Sequence, residues 1–363
     1  MKTYLFLVLA SPLLLACGDD TAPAQPMPDA PPPEVDGRAP LVPEILYMRW
    51  NAGPELVVGT GEGQITPLRK LNGGVDGAGQ TSRSRDGTRI AFSTYDDEAN
   101  AWALITRPFE QPNANERVLA HTNGVANPAW SPDGSQLAYV TFVEAFTYGV
   151  FVVPSEGGTP KLLARVEVGS GDQALCIAPQ WSPDGRELVY STVHGLSSYR
   201  FSDAKERELV PRGDAFWTCA PQWAPDGSAI AFAWGDPGVG KIAKISRDGG
   251  DVTALAPMEG GFGTGQVAWS PDGSQIAYVT LFEDDVALRV VPASGGPSRL
   301  LDKLQASIEA GHPTFSTDSA TVLYVRFSEG ARLMTVPAAG GEITDLHLEG
   351  AHIGASYPIW LRP

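Results

Sequence analysis

Residues 127–141 read NPAWSPDGSQLAYVT, and the phrase returns along the chain. It stands as APQWSPDGRELVYST from 178, APQWAPDGSAIAFAW from 220 and QVAWSPDGSQIAYVT from 266. Weaker copies flank these: QTSRSRDGTRIAFST from 80 and HPTFSTDSATVLYVR from 312. The aspartates of the repeated turn are Asp86, Asp133, Asp184, Asp226, Asp272 and Asp318, spaced 47, 51, 42, 46 and 46 residues apart. A period in the forties, with a Gly turn and one aromatic per unit, is the signature of a β-propeller.

Each unit can be read physically. In SPDG, Pro132 presets φ at the first corner, Asp133 tolerates the second, and Gly134 accepts positive φ. The turn joins an incoming strand, NPAW, to an outgoing one, SQLAYVT. The outgoing strand is apolar at consecutive positions, Leu137 through Val140. A sheet with one wet face alternates instead, so this strand is covered on both faces, as a blade is by its two neighbours. Trp130, Trp181, Trp223 and Trp269 then fill the gaps between blades as core residues. Segments such as YGVFVVPSEGGTPKLLA supply two further strands hinged on Gly157 and Gly158. Each unit is therefore four antiparallel strands, A to D outward from the tryptophan strand.

The two ends complete one unit. Residues 357–363, YPIWLRP, read as an A strand, and PEILYMRW near residue 43 reads as a B strand without its A strand. Pairing them closes the ring and removes exposed sheet edges. The count predicts an all-β, seven-bladed propeller of four-stranded blades; six blades is the alternative and would require longer units than those seen.

The chain has 363 residues, 43% of them hydrophobic, enough for a large core. Its 40 glycines and 31 prolines fit many short strands and turns. The net charge of −16 repels phosphate backbones and argues against nucleic-acid binding. The same acidity is compatible with a merely solvated surface or with cationic partners.

The first residues, MKTYLFLVLASPLLLACGDD, carry an apolar run from Tyr4 to Leu15, too short to span a bilayer and suited to an export signal. LLAC, residues 14–17, resembles the lipobox of bacterial lipoproteins. That resemblance implies cleavage before Cys17, acylation of Cys17, and a membrane anchor. The expected organisation is a signal peptide over 1–16, a lipidated cysteine and Pro-rich tether over 17–43, and a propeller over 44–363. Gly18 after the cysteine, in place of an acid, favours the outer membrane, with the domain facing the periplasm or the cell surface. Cys176 and Cys219 sit just before the tryptophan phrase of neighbouring repeats. In an oxidising compartment they form either a disulfide or two buried thiols.

The W-S-P-D-G-x-x-[IL]-[AV]-[YF] phrase around Trp130, Trp181 and Trp269, with Ala224 replacing Ser after Trp223, resembles the WD40-like repeats of TolB-type propellers. The resemblance covers nearly all of the chain after the tether. It implies the fold; the partner expected for the propeller's loop face is an envelope protein or peptide segment, or a cationic group. TolB carries an α/β domain before its propeller, and the related peptidases carry an α/β-hydrolase domain. The expectation here is a tether and a propeller alone, so neither activity transfers.

Catalytic signatures are sparse. There is no Gly-x-Ser-x-Gly elbow and no His-Glu-x-x-His segment, and GTGEGQ at 59 lacks the lysine of a phosphate loop. Propeller topology still places the loops leading into A strands, and the B–C loops, on one face. The first set brings Asp172, Asp214, Phe216, Trp217, Phe262, Glu309, His312 and His352 there. The second adds Asp96, Asp97, Glu144, Asp236, Glu283, Asp284 and Asp285. Loops on a rigid scaffold commonly carry function. The expected function is a lipid-anchored, monomeric binding or scaffold module that uses this acidic, aromatic face and needs no cofactor. The rival is a propeller enzyme of lactonase, lyase or hydrolase type, with His312, His352, Glu309 and Asp172 around a divalent cation. A passive structural lipoprotein is the third reading.

Overall fold

The computed structural model describes residues 44–50, 53–72, 81–109, 115–124, 127–167, 177–192, 195–211, 217–236, 239–259, 266–282, 285–304, 311–328, 330–348 and 358–362. All of them belong to one unit, Leu41–Pro363. They form seven four-stranded antiparallel sheets. No helix among them is long and apolar enough to cross a membrane.

Blade 1 combines β28 (Ile359–Arg362) with β1 (Glu44–Trp50), β2 (Pro54–Thr60) and β3 (Ile65–Lys70). Blade 2 holds β4 (Ser82–Arg83), β5 (Arg89–Asp96), β6 (Ala101–Pro108) and β7 (Arg117–Thr122). Blade 3 holds β8 (Ala129–Trp130), β9 (Gln136–Glu144), β10 (Thr147–Pro154) and β11 (Lys161–Glu167). Blade 4 holds β12 (Gln180–Trp181), β13 (Glu187–Thr192), β14 (Gly195–Arg200) and β15 (Lys205–Val210). Blade 5 runs from β16 (Trp217–Trp223) through β17 (Ala229–Asp236) and β18 (Val239–Ser246) to β19 (Thr253–Glu259). Blade 6 runs from β20 (Val267–Trp269) through β21 (Gln275–Phe282) and β22 (Asp285–Pro292) to β23 (Arg299–Lys303). Blade 7 runs from β24 (Gly311–Phe315) through β25 (Thr321–Ser328) and β26 (Gly330–Pro337) to β27 (Thr344–Asp345). The seam is the expected one: Ile45 pairs with Trp360 and Leu46 with Ile359.

The consecutive apolar residues of each B strand now have a cause. Along β1, Ile45 and Tyr47 pack with Leu323, Val325 and Leu333 of blade 7, whereas Leu46 and Met48 pack with Ile90 and Phe92 of blade 2. Along β9, Leu137 and Tyr139 face blade 2, and Ala138 and Val140 face blade 4. Successive side chains point to opposite faces, so one strand feeds two junctions. Each core cluster bridges two neighbouring blades. Phe92 and Phe232 are fully buried in theirs, and truncating either to alanine costs about 3–5 kcal/mol.

The A–B turns repeat one hydrogen-bond pattern. Ser131 Oγ donates to Asp133 Oδ1 at 2.6 Å, the Ser135 amide donates to the same oxygen at 3.0 Å, and the Gln136 amide donates to Ser131 Oγ at 2.9 Å. Gly134 closes the turn with φ 70°, in the left-handed region that favours glycine. The serine-held carboxylate recurs at Asp86, Asp184, Asp272 and Asp318. Asp226 follows Ala224 and relies on Ser228. These aspartates stabilise turns.

Five A-strand tryptophans are buried (Trp130, Trp223) or packed partly buried against the core (Trp181, Trp269, Trp360), and all five donate hydrogen bonds. Trp130 Nε1 reaches the carbonyl of Ser82 at 3.2 Å, Trp181 that of Ala129 at 3.0 Å, and Trp223 that of Gln180 at 3.2 Å. Trp269 and Trp360 reach Gln222 and Thr314. Each indole thus satisfies a carbonyl in the A strand of the preceding blade.

Candidate functional site

Antiparallel blades put the B–C turns and the D-to-A connections on one face and the SPDG turns on the other. On the first face, blades 2 and 3 present an acidic and aromatic patch. In blade 2 the chain reverses between Asp96 and Ala101. Asp96 Oδ1 accepts the amides of Glu98 and Ala99 at 3.0 and 3.1 Å, which fixes the turn. Its other oxygen lies 3.3 Å from His121 Nε2. The Ala99 amide first, and His121 second, hold the Asp96 carboxyl below the ordinary carboxylate range. Asp97 accepts Asn72 Nδ2 at 2.9 Å. Tyr95 packs edge-on to Trp102 at 5.6 Å and donates to Asn100 Oδ1.

In blade 3 the turn between β9 and β10 is tight, with Glu144 opposite Thr147. Phe146 sits in it at φ 58°, a left-handed conformation that is costly for a bulky residue, and its side chain is 60% exposed. Phe142 is 40% exposed, and its ring lies 4.0 Å from that of Tyr148. Glu144 pairs with Arg165 at 2.5 Å. The two turns form one surface. His121 binds Asp96, and two residues on, Asn123 Nδ2 donates to the carbonyl of Phe142 at 3.2 Å. The patch offers carboxylates for cationic groups and two exposed rings as anchors.

Of the residues singled out from sequence, Cys17, Asp172, Cys176, Asp214, Phe216, Phe262, Asp284, Glu309 and His352 lie outside the described residues. Trp217 and Asp285 are placed by backbone at this face: Trp217 opens β16 opposite Gly235, and Asp285 opens β22 opposite Phe282. Cys219 is 3% exposed and disulfide-bonded. His312 turns inward. It is 7% exposed, its amide donates to Gln266 Oε1 at 2.5 Å, and its Nε2 lies 3.3 Å from Gln266 Nε2 of the preceding blade. Burial pushes its imidazole down to about 4, so it is neutral at physiological pH. No group of three or more His, Cys, Asp or Glu among the described residues is arranged to hold a metal ion. The sequence reading did not single out Phe142 or Phe146. An aromatic at a tight-turn position, where Gly or Asn is the usual choice, was the available signal.

The TolB β-propeller domain family matches residues 80–361, which is more than half of the chain. The chain belongs to that family. A 113-residue stretch, 30% of this TolB-type propeller, is 26% identical to the uncharacterized peptidase YuxL of Bacillus subtilis and covers 16% of that protein. A 103-residue stretch, 28% of the chain, is 27% identical to the Tol-Pal system protein TolB of Alcanivorax borkumensis and covers 22% of it. The chain thus spans only a minor part of the curated relatives it matches. Among solved structures, TolB from Acinetobacter baumannii superposes with a TM-score of 0.52 at 15% identity, over 88% of this chain and 67% of that one. An oligogalacturonate lyase from Vibrio parahaemolyticus superposes with a TM-score of 0.62 at 16% identity, over 82% and 88%. At such identities the likeness establishes the propeller fold alone, which binding proteins and enzymes share.

Proposed function

We propose that this chain is a cell-envelope propeller that binds a partner protein through its loop face, with the patch of blades 2 and 3 at the centre of contact. The observation that carries the reading is Phe146, which a strained backbone holds 60% exposed in the turn that also carries Glu144. A large ring held in water by an unfavourable φ is retained where it inserts into something else. The partner segment offers an apolar pocket for Phe146 and Phe142 and basic groups for the acids. Asp172, Asp214, Phe216, Trp217, Phe262, Asp284 and Asp285, which the sequence assigns to loops of this face, are proposed as further contact residues.

Family membership supports an envelope location, since a named relative belongs to the Tol-Pal system. On this reading residues 1–16 direct export, acylated Cys17 anchors the chain, and the Pro-rich segment 17–43 holds the propeller off the membrane. The test uses the full chain expressed in an envelope-bearing host, with a photo-cross-linking residue in place of Phe146. A discrete adduct is expected, and Phe142→Ser with Asp97→Lys is expected to abolish it. The same adduct in that variant, or equal labelling from a cross-linker on the SPDG face, rejects the reading. Cys17→Ser is expected to move the protein from the membrane to the soluble fraction.

A further inference from the structure

The opposite face of the ring carries the SPDG turns and the C–D turns, and its junctions are not alike. Between blades 4 and 5, the Arg247 guanidinium lies 5.6 Å from the Trp223 ring centroid and binds Asp184, the turn aspartate of the preceding blade, at 2.7 Å. Between blades 2 and 3, Arg89 covers Trp130 at 4.6 Å and reaches the Gly134 carbonyl at 2.6 Å and Glu156 at 2.9 Å. The two junctions that flank the blade 3–4 junction are thus each capped by a guanidinium that the chain supplies, stacked on an indole and hydrogen-bonded at its edge.

The junction between them is capped differently. Phe201 occupies the position of Arg247: the Phe201 amide donates to the Arg186 carbonyl as the Arg247 amide donates to that of Ser228. Phe201 stacks on Trp181 at 4.9 Å and 10°. Gln136, the first residue of β9, stands where β5 begins with Arg89. Asp133 holds the place of Asp184, yet its partners are the hydroxyls of Ser131 and Ser135 and the Ser135 amide. No ion pair to Asp133 occurs among the described residues. A cleft of about 470 Å³ is left, lined by Asp133, Gln136, Trp181, Asp184 and Phe201 among others. Asp184 is already shared with Arg247, so Asp133 supplies the unneutralised charge.

We infer that this cleft between blades 3 and 4 docks an arginine side chain presented by a partner protein segment. The cleft pairs two stacked rings with a carboxylate, a combination that a planar guanidinium satisfies by stacking and charge-assisted hydrogen bonding. The protein itself fills the adjoining junctions with that group. The site lies on the face opposite the loop patch and does not depend on it.

The test follows the indole N–H signals of the isotope-labelled intact chain, which has nine tryptophans, during titration with an acetyl-Gly-Arg-Gly amide. The Trp181 signal, identified by its loss in Trp181→Phe, is expected to move saturably. The neutral citrulline analogue is expected to leave it in place. Asp133→Asn removes the charge and is expected to weaken binding about threefold or more. Phe201→Arg gives Asp133 the guanidinium that Arg247 gives Asp184, and is expected to abolish the response while the other indole signals, which report the fold, hold their positions. An unmoved Trp181 signal, an equal response to the citrulline peptide, or undiminished affinity in Asp133→Asn overturns the inference. A neutral oligosaccharide that moves Trp181 where the arginine peptide does not also overturns it.

Discussion

Arg83 occupies in blade 2 the A-strand position that five of the other blades give to tryptophan and blade 7 to Phe315, and its Nη1 still reaches across the junction, to the carbonyl of Leu361 at 3.4 Å. Phe109 covers that guanidinium at 5.3 Å. The residue type has changed while the role, a donor reaching into the preceding A strand, has stayed. This contact lies at the seam where β28 joins the ring.

Deleting residues from Ile359 onward removes that acceptor together with Trp360 and Leu361. It also leaves β1 with an open edge, which favours strand-to-strand association. Loss of large seam residues is expected to cost at least about 3 kcal/mol. A calorimetric melting temperature well below that of the intact chain, with concentration-dependent aggregation, is the expected result. An unchanged transition would mean the ring does not depend on its seam.

Trp223→Phe keeps a ring in the blade 4–5 junction and deletes one donor. Trp223 is 7% exposed, so the partly buried Gln180 carbonyl loses its indole partner. The expected loss is about 1–3 kcal/mol, read as a lower urea midpoint at constant slope. Trp181 is only partly buried, and Trp181→Phe should cost less. Equal midpoints for both variants and the parent would show that the indole hydrogen bonds contribute nothing.

Some of this architecture could be read from the chain because its cause is local. Pro132 through Gly134 dictate a turn, and Leu137 through Val140 dictate a strand covered on both sides. Trp360 announced the closing strand. The site was less legible. Asp96 and Asp97 follow from topology, but Phe142 and Phe146 were not singled out, because sequence does not show that their rings stay exposed. His312 looked like a surface ligand, yet the irregular register between Gly311 and Thr314 turns it toward Gln266. The difference between Phe201 and Arg247 acquires meaning only when each is set against the turn aspartate of the preceding blade, a relationship no periodicity encodes.

Acid should loosen the ring through its turns. The carboxyls of Asp86, Asp133, Asp184, Asp226, Asp272 and Asp318 all lie below their ordinary range. Asp86 is held at about 2, chiefly by the Ser84 hydroxyl, while Asp184 is depressed first by its hydrogen bond to Arg247. Because the folded values sit below the unfolded value of about 3.9, the unfolded chain binds more protons as pH falls. The stability these groups contribute is present well above the unfolded value and is lost as pH falls through it toward the lower folded values, about 2 for Asp86. Urea midpoints should decline through that window. Ser270→Ala, which removes the leading hydrogen bond to Asp272, should make the decline shallower. A midpoint flat from pH 5 to 2 contradicts the assignment.

Cys219 is disulfide-bonded. Cys176 precedes the Ala-Pro-Gln-Trp phrase of blade 4 just as Cys219 precedes that of blade 5, and Cys17 is committed to the lipid anchor in the reading above. The expected bridge is therefore Cys176 to Cys219. Closing a loop of roughly forty residues restricts the unfolded chain by about 4 kcal/mol in the entropic account. Peptide mapping without reductant should recover a fragment linking the two cysteines. Reduction should lower the melting temperature of the parent and leave Cys219→Ala unchanged. A linked fragment containing Cys17 would defeat both the pairing and the anchor, since one sulfur cannot serve a thioether and a disulfide together.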